Sequence, residues 1–195
     1  YQEACDKGSR IGCNSLAIHY KDEVPQNIPL ALSLYELACA SKDRFACYNL
    51  GYIHKNGVLV EKDLSLSRGF YTTSCEQGNW KGCYFAGQMW FNGEGGGKDP
   101  SIAEAFMLDS CHGEYFSACH YIAFGYEIGK NVEQDTEKAL HYYQLACDHE
   151  IAVSCNNLGV IYYDSKLVEV DQERGLSYFK KACEMGNDLG CQNLQ

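Results

Sequence analysis

Apolar positions in this chain follow two alternating patterns, both with the period of a helix. In the first, a small residue (Ala17, Gly51, Gly87, Ala123, Gly159) follows a mostly aliphatic one (Leu16, Leu50, Ala86, Ile122, Leu158). Three residues after the small one comes a ring: Tyr20, His54, Trp90, Tyr126 or Tyr162. Positions i, i+1 and i+4 share one helical face. This element, helix A, is expected to bring its small residue close to a neighbouring helix and to cover the seam with the ring. The second pattern, helix B, reads Ala31, Leu34, Tyr35 and Ala38 in one unit and Ala139, Tyr142, Tyr143 and Ala146 in another. Its starts are marked by Asn27, Asp63, Asp99, Asp135 and Asp171, whose side chains can accept from the orphan N–H groups of a first turn. Turn-rich stretches such as Asn56-Gly57-Val58 and Asn92-Gly93-Glu94-Gly95-Gly96-Gly97 separate A from B, and a shorter loop is expected around Pro25 and Pro29.

The two patterns form a repeat. Twelve cysteines fall in pairs with seven residues between partners: Cys5 with Cys13, Cys39 with Cys47, Cys75 with Cys83, Cys111 with Cys119, Cys147 with Cys155, and Cys183 with Cys191. First cysteines lie 34, 36, 36, 36 and 36 residues apart, a period that signals a helical solenoid. A zinc site would place ligands two to four residues apart, and the chain has no C-x-x-C. The pairs therefore read as disulfides formed in an oxidising compartment. Each would join the last turn of a helix B to the first turn of the next helix A, adding roughly 2–3 kcal/mol by the chain-entropy estimate. Residues 1–195 are expected to form a single solenoid of five complete A/B repeats, with part of a helix B at the start and part of a helix A at the end. The opening Tyr1-Gln2-Glu3-Ala4-Cys5 reads as a helix tail, so a mature or trimmed fragment is expected.

Composition narrows the partners. The formal charge of -10 argues against nucleic acid, because phosphate binding needs a Lys/Arg surface. Apolar residues make up 46%, yet no apolar run approaches the ~18 residues of a spanning helix. There is no N-x-S/T sequon, which leans toward a bacterial exported protein. No cofactor or metal is called for: the six histidines form no HExxH and no cluster, and His54 takes the seam position.

Units such as Ala46-Cys47-Tyr48-Asn49-Leu50-Gly51-Tyr52 and Lys138-Ala139-Leu140-His141-Tyr142-Tyr143 resemble Sel-one-like repeats (SLR). With paired cysteines, they resemble more narrowly the Helicobacter cysteine-rich protein family. The resemblance implies an all-α, right-handed superhelical solenoid, secretion, and a concave groove of A helices that binds a peptide or protein, with host interaction among its roles. It also implies two alternatives, weak penicillin binding or hydrolysis of the β-lactamase type, and binding of cell-wall muramyl sugars. The sequence departs from the pattern at Lys42, Glu114 and Glu150, where the turn often has Gly, and at Ser67 and Gly175, where helix B usually has Ala.

Counting from the second cysteine of each pair, positions +1, +5 and +8 lie on a stripe of helix A separate from the packed face. Candidate groove residues are Tyr48, Tyr52, Tyr84, Gln88, Phe91, His120, Phe124 and Asn156, with Asn49 and Asn157 at +2. By resemblance to tetratricopeptide grooves, Asn49 and Asn157 would hydrogen-bond a peptide backbone, and the aromatics suit peptides or sugar rings. For an enzyme, Ser177-Tyr178-Phe179-Lys180 offers S-x-x-K and Ser154-Cys155-Asn156 offers S-x-N, but K-T-G or K-S-G is absent. Ser177 falls on helix B, on a face expected to point away from the groove. No catalytic residue is assigned.

Overall fold

The computed structural model describes residues 1–22, 27–164 and 166–195, and all regular structure among them is helical. Helix A recurs as α2 (Arg10–Asp22), α4 (Arg44–Asn56), α6 (Trp80–Asn92), α8 (Phe116–Ile128) and α10 (Ala152–Asp164). Helix B recurs as α3 (Ile28–Ala40), α5 (Leu64–Glu76), α7 (Pro100–His112), α9 (Thr136–Asp148) and α11 (Gln172–Glu184). Short helices α1 (Gln2–Asp6) and α12 (Asp188–Gln192) flank them. The expected capping side chains open all five B helices: Asn27, Asp63, Asp99, Asp135 and Asp171 each accept from the N–H three residues on, at 2.9–3.3 Å. Each such cap contributes about 1 kcal/mol. Pro29 sits in the first turn of α3, where no intrahelical N–H bond is lost. The loop expected at Pro25 lies outside the described residues.

Helices A and B of a repeat pack antiparallel, shown by contacts that run in opposite order. Between α4 and α5, the His54 carbonyl accepts from Asp63 N at 3.0 Å, Gly51 meets Tyr71, and Cys47 lies near Gln77. A Cβ on Gly51 would stand 2.7 Å from the Tyr71 ring, so the small position of helix A exists to seat the buried ring of helix B. Phe179 presses on Gly159 in the same way. The seam rings stack on a second helix-B ring: His54 on Phe70 (5.6 Å), Tyr126 on Tyr142 (6.1 Å) and Tyr162 on Tyr178 (5.8 Å). Cations cap two of them, Lys138 over Tyr126 at 4.9 Å and Arg174 over Tyr162 at 4.0 Å.

The departures from the repeat pattern have local reasons. Ser67 is buried and donates to the Gly51 carbonyl at 2.8 Å. An alanine at 175 would bring its Cβ within 2.8 Å of Tyr163 Cβ and 2.9 Å of Tyr163 N. Gly175 is therefore the residue that lets α11 lie this close to α10. Lys42, Glu114 and Glu150 adopt φ of 66°, 69° and 65°, left-handed conformations usually taken by Gly. The glycine-rich stretch after α6 is more than a turn. A side chain at Gly95 would strike the Leu64 carbonyl, Arg68 donates to the Gly97 carbonyl at 3.0 Å while lying over Trp90 at 4.1 Å, and Lys55 pairs with Glu94 at 3.2 Å.

All six expected disulfides are present, and no described cysteine is free. Cys5 is bonded to Cys13, Cys39 to Cys47 and Cys75 to Cys83. Cys111 is bonded to Cys119, Cys147 to Cys155 and Cys183 to Cys191. They tie each helix B to the following helix A, with Cα atoms 4.5–4.8 Å apart. Cys83 and Cys119 are fully buried, so these bridges belong to the packing between helices and offer no thiol or sulfur surface to a ligand. Cys191, on the short α12, is half-buried. The helices group into two compact units, Tyr1–Phe106 and Met107–Gln195, and the division falls inside α7.

Candidate functional site

Position +5 of helix A carries an exposed apolar side chain in repeat after repeat: Ile18 (39% exposed), Tyr52 (50%), Phe124 (44%) and Val160 (46%). Burial of such side chains against a partner is worth roughly 1.5–3 kcal/mol each, so their exposure at one fixed repeat position stands out from scattered surface hydrophobics. Gln88 fills the same position in the third repeat, half-buried, donating to Tyr84 Oη at 2.8 Å. Ile18 was missed in the sequence, although the alignment that gives Tyr52 and Phe124 also gives Ile18. A cavity of about 100 Å³ opens beside Phe124, lined also by Tyr121 and Lys130.

The other candidate positions are largely engaged by the neighbouring repeat. Asn49 donates to Asn14 Oδ1 at 3.3 Å, and Asn193 donates to Asn156 Oδ1 at 3.0 Å. Tyr48 packs against Phe85 (5.9 Å), with Lys81 5.2 Å from its ring. In all three cases position +1 of one helix A meets position +2 of the next. The candidate residues at +1 and +2 thus form a ladder between repeats, of amides in two places and rings in another. Phe91 is 2% exposed and Asn156 6%, so both belong to the packing and present no surface to a ligand. Asn157 donates to Tyr143 Oη at 3.1 Å.

Beneath the stripe, helix B supplies residues that the sequence did not single out. Tyr143 is fully buried and donates to Glu127 Oε2 at 2.6 Å. Burial, then the Glu127 carboxylate, push its phenol well above the usual tyrosine range. Tyr71 occupies the same repeat position, equally buried, and its hydroxyl has no hydrogen-bond partner among the described residues. Its pKa is raised by burial and then by the nearby Tyr48 and Tyr52. His120 shares a 2.8 Å hydrogen bond with Ser154 Oγ, and burial lowers its pKa. Ser154 is completely buried at a position held by Gly or Ala in the other repeats, among them Gly12 and Gly82. No substrate carbonyl reaches its oxygen there. Ser177, the other serine considered, is exposed on α11 and donates to the Arg174 carbonyl at 2.7 Å, while Lys180 lies 4.0 Å from Glu184.

Stacked antiparallel pairs of thirteen-residue helices, repeating every 34 or 36 residues with a small residue under a ring, define a tetratricopeptide-like solenoid, a class that offers extended surfaces for protein–protein interaction. The Sel1 repeat pattern matches residues 11–43, 44–79, 80–108, 116–150 and 152–187, and the chain belongs to the Sel1 repeat family. Four of these matches begin on the first residue of a helix A. In fold the chain is similar to a protective antigen of uropathogenic Escherichia coli that displays an SLR fold (TM-score 0.90, 22% identity). The match covers 99% of this chain, which spans only 42% of the length of that one. It is similar also to a Sel1 repeat protein from Oxalobacter formigenes (TM-score 0.80, 21% identity, 95% of this chain and 74% of that one). A third likeness is to YrrB, a TPR protein with an unusual peptide-binding site (TM-score 0.57, 16% identity, 98% and 96%). No curated protein matches the chain in sequence.

Proposed function

We propose that this chain is an exported scaffold that holds a peptide, or an extended segment of a protein, along the exposed stripe of its A helices. The observation that carries the reading is the apolar side chain left exposed at +5 in four repeats. An extended peptide would lay alternate side chains against such a stripe, with the half-buried amides and rings at +1 and +2 beside it. Six local disulfides support both parts of the proposal. They fit an oxidising, extracytoplasmic compartment, and they hold the helix ends in place so that little ordering entropy is lost on binding. No helix among the described residues is long and apolar enough to cross a membrane. That YrrB has a peptide-binding site on the same fold is a further support.

The test is selection of a random twelve-residue phage-displayed peptide library on the oxidised protein, followed by titration of the selected peptide. Tyr52→Ala or Phe124→Ala is expected to weaken binding at least fivefold, with the helical circular dichroism unchanged. Selected peptides that bind both variants as well as the unaltered protein, or a library that yields none, would refute the stripe as the binding surface.

A further inference from the structure

A second concave site lies at the disulfide turns of the first unit, apart from the stripe. A cavity of about 340 Å³ is lined by the cations Arg10, Lys42 and Arg44 and by the apolar side chains of Ile11 and Phe45. Ile11 is 66% exposed and Phe45 55%, among the more exposed apolar side chains of the protein. Its floor is fixed. Gln77 donates to the Cys39 carbonyl at 3.4 Å beside the Cys39–Cys47 disulfide, and Arg44 donates to the Gly78 carbonyl at 3.0 Å.

Arg44 also lies over the Phe45 ring at 5.1 Å, but the cations of this site are not neutralised by a paired carboxylate. Among the described residues no ion pair joins Arg10, Lys42 or Arg44 to a carboxylate. Asp43 lines the same cavity, but it is 3% exposed and its carboxylate already accepts from Phe45 N and Ala46 N, both at 2.9 Å. Glu76 borders the adjoining depression with Arg10 and Lys42. The corresponding positions of the second unit hold no cation: Glu114, Glu150 and Gly186 stand where the first unit has Lys42, and Phe116, Ala152 and Asp188 where it has Arg10 and Arg44. Charge is sorted the same way overall, with ten basic and twelve acidic residues in 1–106 against six and fourteen in 107–195. A cluster of three cations is thus kept in a strongly acidic chain, flanked by two exposed apolar side chains.

We infer that this cavity docks an acidic segment of a partner protein, one in which carboxylates alternate with apolar side chains. Arg10 and Arg44 present planar guanidinium groups suited to carboxylates, Lys42 adds a point charge, and Ile11 and Phe45 cover the interleaved apolar groups. The site stands independently of the helix-A stripe.

The experiment is fluorescence polarisation with a labelled hexapeptide, Glu-Leu-Glu-Leu-Glu-Leu, blocked at both ends, beside the same peptide with Gln for Glu. The Glu peptide is expected to bind at least tenfold more tightly than the Gln peptide, and to weaken as salt rises. Arg10→Ala combined with Lys42→Gly should lose tenfold or more, whereas Glu76→Gln should gain two- to threefold. Tyr52→Ala should leave this binding unchanged, which separates it from the stripe. Absence of binding at millimolar peptide, equal binding of the two peptides, or indifference to the Arg10/Lys42 change would overturn the assignment. So would a dimer of the unaltered protein, seen by sedimentation, that dissociates in the double variant, because the occupant would then be a second copy.

Discussion

Tyr71 in the first unit and Tyr143 in the second are one position of the repeat met twice, and their hydroxyls have opposite fates. Both rings are fully buried under helix A. Tyr143 finds an acceptor in Glu127, eight residues past Cys119 of its repeat, and a donor in Asn157 of the next repeat. In the first unit those two positions hold Lys55 and Phe85. Lys55 pairs with Glu94, Phe85 lies against the Tyr71 ring at 5.2 Å, and the Tyr71 hydroxyl is left without a partner among the described residues. The same repeat position therefore supports a closed polar network in one unit and an unsatisfied donor under the exposed Tyr52 in the other. The repeat fixes where side chains stand; what they do is decided by particular residues of the same and the next repeat.

The largest expected effect blurs the comparison, and it appears in alkali. Burial raises all three fully buried phenols, with Tyr35 pushed up to about 12. Above pH 10 an unfolded tyrosine loses its proton while the folded one keeps it, so stability falls as pH rises. The slope reaches up to about 4 kcal/mol per pH unit for the three together, at roughly 1.4 each. Urea unfolding between pH 9 and 11.5 should show this slope reduced by a third in either Tyr71→Phe or Tyr143→Phe. At neutral pH the two variants should part. Tyr143→Phe strips Glu127 and Asn157 of their partner and is expected to cost about 1–3 kcal/mol. Tyr71→Phe removes a buried hydroxyl that makes no bond among the described residues, and its urea midpoint should stay level or rise. A clear loss in Tyr71→Phe would mean that the hydroxyl is satisfied in solution. The smallest effect concerns the left-handed turns. Lys42→Gly and Glu150→Gly should each stabilise by about 0.5–1 kcal/mol, because glycine relieves the positive φ. Only the first of the two should also weaken the acidic peptide.

What was legible in the sequence is what repeats within a few residues. Helix faces, the capping residues Asn27 through Asp171, the seam rings and the disulfide pairs each follow from a local pattern, and each is found. The stripe was legible at Tyr52 and Phe124 because helical spacing sets them opposite the packed face. Spacing alone turns Asn49 and Asn156 toward a ligand, because it gives the face of a helix but not its neighbour. Their partners, Asn14 and Asn193, lie 35 and 37 residues away. Phe91 shows the same limit, lying on the expected stripe and yet buried. The docked loop around Gly95 and the floor tyrosines of helix B were missed for a related reason: both depend on how closely two elements approach, which no single element's period records.

The short span of each disulfide has a consequence for how the oxidised protein is made. Twelve cysteines admit about ten thousand complete pairings, by the counting that gives 105 for eight. Here every native partner is eight residues away, while the nearest wrong one, as from Cys13 to Cys39, is 26. Loop-closure entropy alone favours the eight-residue ring by about 1 kcal/mol. Each ring also holds a single turn between two helices, so it can close as soon as that helix hairpin has formed. A chain emerging into an oxidising compartment could thus secure its bridges one after another in order of appearance, from Cys5–Cys13 to Cys183–Cys191, with little demand for a disulfide isomerase. It could also gain or lose a whole repeat without disturbing the pairing of the rest.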